Sequence, residues 1–180
     1  MTEAGHPLPR RYPTVVHALV DAARCAPDAP ALICGDETLS YREYAACVAG
    51  LARELARGCT PGDRIAVLMA NSIDIAIASF AVQAAGLQLV PLNPAYTPHE
   101  LAPILANAAP VGLIHDADCA SAILSLATGQ GVPHHWSVGQ SGASHAGAVI
   151  GLIWARFPCP RPTHSPRFNT LAAPPVARRA

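Results

Sequence analysis

Histidine and cysteine side chains cluster late in the chain, and these are residue types that bind transition metals. The set comprises His134, His135, His145, Cys159 and His164. Zinc sites commonly use ligand pairs such as His-x₃₋₅-His or Cys-x-x-Cys, and the spacings between these five residues match neither pattern. We therefore predict no metal site and expect these histidines to be unstructured.

The basic residues limit the chemistry further. All 12 are arginine, and the chain contains no lysine. This composition excludes a phosphate-loop lysine or a Schiff-base lysine, both of which depend on a compact ammonium group. No Gly-x-Gly-x-x-Gly motif follows a predicted strand, which argues against a free-standing dinucleotide-binding domain.

Five arginines in the last quarter of the chain could in principle bind nucleic acid. They are Arg156, Arg161, Arg167, Arg178 and Arg179, with Phe157 and Phe168 between them. Proline is frequent in the same stretch, and no amphipathic period recurs there. We predict a disordered tail and no nucleic-acid partner.

Asp116 is the acidic residue with the most suggestive position, because it follows a predicted strand. Active sites of α/β proteins commonly lie at the carboxyl ends of strands. A simpler role is the N-cap of the following helix, and we predict that role. Asp74 and Glu43 are likewise predicted in first turns of helices, where the helix dipole favours an acid.

The elements that would position these side chains alternate regularly. Apolar strands are predicted at residues 64–69, 87–92 and 111–115, each followed by a helix. Capping boxes at Ser40–Glu43 and Thr97–Glu100 begin two of the predicted helices. This alternation predicts an α/β fold, a partial doubly wound parallel sheet with flanking helices.

One uncharged stretch, residues 75–98, is long enough to cross a bilayer. Gly86, Pro91 and Pro94 interrupt it, so we predict a buried helix followed by a buried strand and no membrane span. The N-terminus carries no apolar signal segment, and we expect a cytoplasmic protein.

The regular pattern ends near residue 129. Residues 1–118 contain seven arginines and all 12 acids, a net charge of −5, whereas residues 119–180 contain five arginines and no acid, a net charge of +5. We predict a domain at residues 14–128 and a low-complexity, disordered tail at 129–180. Our hypothesis is that the tail is out-of-frame translation or an unselected extension.

Four segments of the chain form an ordered set of motifs. Residues 62–72 read GDRIAVLMANS and residues 90–101 read VPLNPAYTPHEL, while PDAPAL at 27–32 and LSYRE at 39–43 precede them. In order and spacing, these segments resemble the AMP-forming acyl-CoA synthetases of the adenylate-forming superfamily. The resemblance covers residues 14–118 and implies an incomplete N-terminal subdomain of such an enzyme. Within the second string, we predict that Asn93 and Tyr96 structure a loop and do not bind ligand.

The resemblance implies activation of a carboxylic acid by ATP and Mg²⁺ to an acyl-adenylate, followed by transfer to coenzyme A. Family members use a Gly/Ser/Thr-rich phosphate loop and a lysine from a later domain. Residues 141–147 imitate that loop only in their small residues, and we predict an irregular segment. We therefore assign no catalytic, cofactor-binding or metal residue, and no cofactor to this chain alone.

We expect a truncated N-terminal part of a fatty acid–CoA ligase that is inactive alone. The string at residues 90–101 favours fatty acids or related acids as substrates of the intact enzyme. The alternative is a non-catalytic interaction module that complements a separately encoded remainder or self-associates through open sheet edges.

Overall fold

A computed structural model gives the structure of the chain and describes residues 11–138 of its 180. Within them, helices and strands alternate almost strictly. The helices are α1 (Val15–Cys25), α2 (Tyr41–Gly58), α3 (Ile73–Ala84), α4 (Pro98–Ala108) and α5 (Ser121–Gly129). The strands are β1 (Pro30–Cys34), β2 (Glu37–Ser40), β3 (Arg64–Leu68), β4 (Gln88–Leu92), β5 (Gly112–Asp116) and β6 (His134–Val138).

The strands form two sheets of different kinds. β1 and β2 make an antiparallel hairpin, whereas β4, β3, β5 and β6 lie in that order in a parallel sheet. Helices link the parallel strands, as crossovers between parallel neighbours require. The predicted α/β class with a partial parallel sheet is confirmed.

The parallel sheet is covered on both faces, which explains why its central strands are apolar throughout. Alternate residues of β3 point to opposite sides. Ile65 and Val67 join the core formed with α1, α2 and α3, whereas Ala66 and Leu68 join the core formed with α4 and α5. Every residue from Ile65 to Met69 is buried.

The two predicted capping boxes are present and begin α2 and α4. In the first, Ser40 N–H donates to Glu43 Oε2 (2.8 Å) and Glu43 N–H donates to Ser40 Oγ (3.3 Å). In the second, Thr97 and Glu100 repeat this exchange. Both motifs are local in sequence, so their positions follow directly from the residue spacing.

The predicted cap at Asp116 is wrong. α5 begins at Ser121, and Ala120 occupies its N-cap position without a side-chain hydrogen bond. Residues 117–120 form a turn between β5 and α5, which places Asp116 too far back to cap the helix. Asp116 instead accepts a hydrogen bond from the N–H of Ala70.

The sheet continues past residue 128, where the loss of pattern predicts the end of the domain. β6 pairs with β5 along its whole length and buries Trp136 and Val138. Polar residues occupy three of its five positions, so the strand lacks the continuous apolar run that marks β3. Residues 141–147, His145, Cys159, His164 and the five tail arginines lie outside the described residues.

The uncharged stretch at residues 75–98 is divided into a helix and a strand as predicted, but the expectation of a buried strand is wrong: β4 lies at the edge of the sheet, and only Leu92 of its five residues is buried. Its first part lies in α3, and β4 follows after the turn at Gly86, whose φ is +75°. Among residues 11–138, no helix combines the length and the apolar character needed to cross a membrane.

Candidate functional site

The carboxyl edge of the parallel sheet is the place where a site would be expected in this fold. The chain passes from β3 to β4 on one side and then to β5 on the other side of β3. The order of strands therefore reverses between β3 and β5, and the loops that follow these two strands face each other there.

A hydrogen bond between Asp116 and Ala70 joins the two loops. Ala70 N–H donates to Asp116 Oδ2 at 2.7 Å. Burial raises the pKa of the Asp116 carboxyl, the Ala70 hydrogen bond opposes that rise, and the nearby charge of Asp118 adds to it. The carboxylate thus holds the loop after β3 in place.

Cys119 lies in the loop after β5, at the carboxyl edge of the sheet, and its thiol is a possible nucleophile. Burial, with the negative charges of Asp116 and Asp118, raises the pKa of the Cys119 thiol to about 11. Because the thiolate is the reactive form, the group is a weak nucleophile at neutral pH. The geometry therefore gives Cys119 no activated character.

The loop after β4 is organised by its own side chains. Asn93 Oδ1 accepts a hydrogen bond from Ala95 N–H at 2.9 Å, and Tyr96 N–H donates to the Asn93 carbonyl at 3.1 Å. Thr97 then caps α4. Asn93 thus has the loop-structuring geometry that the Asn-Pro sequence predicts, and the Tyr96 ring is exposed.

The adjacent histidines of β6 are directed to opposite faces of the sheet, so they do not act together. His134 stacks on Trp136 with ring centroids 5.6 Å apart. His135 is buried, with Nε2 3.1 Å from the Val132 carbonyl, and its ring lies 6.4 Å from that of His115 on β5. Among residues 11–138, no three His, Cys, Asp or Glu side chains converge to hold a metal ion.

Sequence reasoning missed the His115–His135 pair, because it grouped His135 with neighbours along the chain. On β5, His115 follows the buried Ile114, and on β6, His135 precedes the buried Trp136, so each histidine lies on the opposite side of its strand from that apolar residue. That alternation is the signal that could have placed them on one face, once β6 was recognised as a strand.

The carboxyl edge, as far as the structure describes it, does not fit a nucleotide triphosphate. Asp116 at the end of β5 and Asp118 in the loop after it are the charged side chains between the strands β3, β4 and β5 and the helices that follow them, and both would repel phosphate. Ala70 N–H is bonded to Asp116, and Ile75 N–H is bonded to Ser72. Arg64 lies at the opposite end of β3 and donates to the Ala108 carbonyl.

Known proteins with related sequences are named as synthetases and CoA ligases. The chain is 40% identical over 93 residues to malpibaldin synthetase of Mortierella alpina, covering 51% of this chain and 2% of that protein. It is 33% identical over 108 residues to a long-chain-fatty-acid–CoA ligase of Yersinia pestis, covering 59% of this chain and 19% of that protein. The chain thus spans at most a fifth of the length of either relative.

A solved structure shows the same fold. The match is to a long-chain-fatty-acid CoA ligase from Rhodopseudomonas palustris, with a TM-score of 0.67, 26% identity, and coverage of 72% of this chain and 34% of that one. The family model described as AMP-binding enzyme matches residues 19–153. With the fold and the sequence in agreement, the chain belongs to the AMP-binding enzyme family.

Proposed function

We propose that this chain is the N-terminal scaffold of an AMP-dependent acid–CoA ligase. The intact enzyme would activate a carboxylic acid with ATP and Mg²⁺ to an acyl-adenylate and transfer the acyl group to coenzyme A. The observation that carries this proposal is the family match over residues 19–153, together with a carboxyl edge at which residues 11–138 place acidic side chains and no basic one. Residues 11–138 would then support a site that other parts of the enzyme supply.

Fatty or related carboxylic acids are the proposed substrates of the intact enzyme. The Yersinia pestis and Rhodopseudomonas palustris relatives are named as long-chain-fatty-acid CoA ligases. The string at residues 90–101 is similar to the same class. We further propose that the protein acts in the cytoplasm.

The chain alone is proposed to be inactive. Adenylation develops negative charge at the attacked phosphate, and fixed positive groups that stabilise such charge contribute on the order of 10²–10³ in rate. The chain has no lysine to supply that charge.

Acid-dependent release of pyrophosphate tests the proposed inactivity. The 180-residue chain is incubated with ATP, Mg²⁺ and fatty acids of several lengths, and pyrophosphate is measured against a blank without acid. We expect the two rates to be equal. Release that requires the acid would overturn this part of the proposal.

A chimera tests the family function itself. Residues 11–138 replace the matching segment of the Yersinia pestis ligase, and formation of acyl-CoA from a long-chain acid is measured. We expect an active enzyme. The control is the same chimera with Leu68→Asp, which places a charge in a fully covered strand and should abolish folding. A folded but inactive unsubstituted chimera would contradict the scaffold role.

The coding DNA tests the hypothesis for the tail. All three frames are translated from codon 110 onward. We expect a shifted frame to resume with a Ser-Gly-Thr-Thr-Gly-type loop and a later lysine. If no frame does so, the hypothesis of out-of-frame translation fails.

A second candidate, a non-catalytic interaction module, is favoured by the difference between the two edges of the sheet. In β4, the backbone groups of alternate residues point toward β3 and away from it. Gln88 N–H donates toward β3, so the backbone of residue 91 points away from the sheet, and Pro91 has no N–H to offer there. At the other edge, His134 N–H donates to Val111, so His135 and Ser137 of β6 direct their backbone groups outward. No strand among residues 11–138 pairs with that side of β6.

The partner of such a module would be a separately encoded remainder of the enzyme or a second copy of the chain. The gene neighbourhood distinguishes these: the first requires an adjacent reading frame that encodes the phosphate loop and the lysine domain. Co-expression of that product should give a complex with acid-dependent pyrophosphate release. If the two products fail to co-purify, complementation is excluded.

A further inference from the structure

Two buried histidines meet across the pairing of β5 and β6. His115 pairs in register with Ser137, and Leu113 pairs with His135, so the two imidazoles are diagonal neighbours on the face toward α4 and α5. Each is only 5% exposed, and the ring centroids lie 6.4 Å apart at an interplanar angle of 70°. Burial of two ionisable rings side by side is unusual unless both are neutral.

Each ring has one backbone carbonyl as its hydrogen-bond partner, and in the neutral ring the nitrogen that faces this carbonyl carries the proton. His115 Nδ1 lies 2.7 Å from the Asp116 carbonyl, and His135 Nε2 lies 3.1 Å from the Val132 carbonyl. Since a carbonyl oxygen only accepts, these partners assign the proton to Nδ1 of His115 and to Nε2 of His135.

The charged and titratable groups around the pair do not favour an imidazolium. Asp116 points to the other face of β5 and is bonded to Ala70, and α5 contains no ionisable side chain. In α4 the titratable residues are His99 and Glu100 of the first turn, and Glu100 is held by Thr97. The remaining titratable groups nearby are His134 at the start of β6, and Asp118 and Cys119 in the loop between β5 and α5. β3 contributes Arg64 at its amino end, bonded to the Ala108 carbonyl.

We propose that His115 and His135 form an acid-sensitive lock, whose protonation releases β6 from β5 while β3 and β4 stay paired. β6 is the strand that this process would release, because among the described strands only β5 pairs with it. β5, in contrast, is held on both sides. The lock thus controls the edge at which the sheet would be extended.

The direction of the pH effect follows from comparing the buried rings, when β6 is paired, with the hydrated rings, when β6 has opened. Burial is the main cause that lowers the pKa of both rings in the folded protein, and the hydrogen bonds to the Asp116 and Val132 carbonyls oppose this effect without reversing it. The charge of the neighbouring histidine, His135 for His115 and His134 for His135, lowers the pKa further. Once β6 opens, water surrounds the rings and their pKa returns toward about 6.5. The lock is therefore closed above about pH 6.5 and weakens as the pH falls below that value.

Amide hydrogen exchange of the 180-residue chain, followed by NMR, measures the opening. The reporters are His134 N–H, which donates to Val111, and Ala117 N–H, which donates to Val138. Gln88 N–H, which donates to Asp63 between β3 and β4, is the internal reference. After correction for intrinsic exchange rates, we expect the opening constant of the two reporters to rise by up to about 100-fold per pH unit, about tenfold for each proton taken up. The Gln88 opening constant should stay unchanged.

Variants assign the effect to the pair. His115→Gln and His135→Gln should each reduce the dependence to about tenfold per pH unit, and the double variant should remove it. His99→Gln, at an exposed position of α4, should leave it intact. A dependence that survives the double variant, or a Gln88 amide that opens together with the reporters, would overturn the proposal.

Direct titration of the unsubstituted chain keeps the proposal testable if the variants do not fold. The Cε1–H resonances of His115 and His135 are followed by NMR as the pH is lowered. We expect both rings to remain neutral at about pH 6.5, the ordinary pKa of a histidine side chain, and to take up protons only below it. If either ring protonates at or above about pH 6.5, the lock does not exist.

Discussion

At the scale of single residues, Gly112 is the described glycine with the least room for a side chain, because Trp136 lies against it. A Cβ at position 112 would lie 2.3 Å from Trp136 Cζ3 and 3.2 Å from Ile65 Cδ1. The absence of a side chain at position 112 of β5 thus creates the space that the indole of Trp136 on β6 fills. The glycine is needed for close approach and not for its backbone conformation, because its φ lies in the usual range.

Gly112→Ala should destabilise the protein by about 1–3 kcal/mol, the usual cost of overpacking a core. Urea denaturation measures the free energy of unfolding. Gly129→Ala is the control, because nothing lies within 4 Å of its added Cβ and alanine favours the helix. In a Trp136→Leu background the cost of Gly112→Ala should shrink. An unchanged cost there would mean that the indole is not its cause.

The thiol of Cys119 should respond to a neighbouring charge. Asp118→Asn removes one of the two acids that raise the pKa of the thiol from its ordinary value, so its pKa should fall. The thiolate fraction at about pH 8.5 rises about tenfold for each unit by which the pKa falls. Site-resolved mass spectrometry after treatment with iodoacetamide measures the rate. Asp36→Asn, in the distant β1–β2 turn, should leave that rate unchanged, and an equal acceleration there would contradict the electrostatic cause.

At the scale of elements, the helix starts differ in how their first N–H groups are satisfied. α2 and α4 begin with complete capping boxes, whereas Ala120, the N-cap residue of α5, supplies no side-chain hydrogen bond. The hydrogen bonds from Thr97 also lower the pKa of Glu100. A lowered pKa of an acid stabilises the folded state above the unfolded pKa, and this stabilisation is lost as the pH falls through the folded value.

Ser40→Ala should lower the free energy of unfolding by about 0.5–2 kcal/mol, because it removes the acceptor for Glu43 N–H. Ala120→Ser should raise it, since the residue already has the extended ψ of 134° found at caps and gains a hydroxyl. Thermal and urea unfolding measure both variants. Ser121→Ala, at the first residue of α5, is the control and should change little. Loss of stability in Ala120→Ser would contradict this account of α5.

At the scale of the whole molecule, the sheet has one edge protected by proline and one edge with outward backbone groups. Pro91 cannot donate to a further strand, whereas Ser137 has an N–H on the outer side of β6. This asymmetry makes β6 the edge at which association with another chain is expected.

Ser137→Pro should reduce self-association while leaving the pairing of β6 with β5 intact, because the lost N–H points outward. Sedimentation velocity over a range of protein concentrations measures the change, and urea denaturation checks that the variant remains folded. Ser137→Ala keeps the N–H and is the matched control. If both variants associate like the unsubstituted chain, the β6 edge is not the interface.

Much of the fold could be predicted because its determinants are local. The spacing of Ser40 and Glu43 predicts a helix start, and the apolar run at 64–69 predicts a covered parallel strand. Both are present in the structure. The family resemblance also follows from contiguous strings, and it is confirmed by the match over residues 19–153.

The features that sequence reasoning missed depend on contacts between distant segments. Asp116 bonds Ala70, 46 positions away, so the local cap motif was misleading. β6 has too few apolar residues to be recognised alone and becomes a strand through pairing with β5. The assignment of no site residues stays a prediction.

The sequence by itself determined the α/β class, the starts of α2 and α4, the central strands and the family, because these depend on periodicities and spacings within a few residues. Only the tertiary structure decided that β6 extends the sheet, that Asp116 joins two loops and that His115 meets His135. Those contacts depend on strand order and register, which bring together residues that no short sequence window contains.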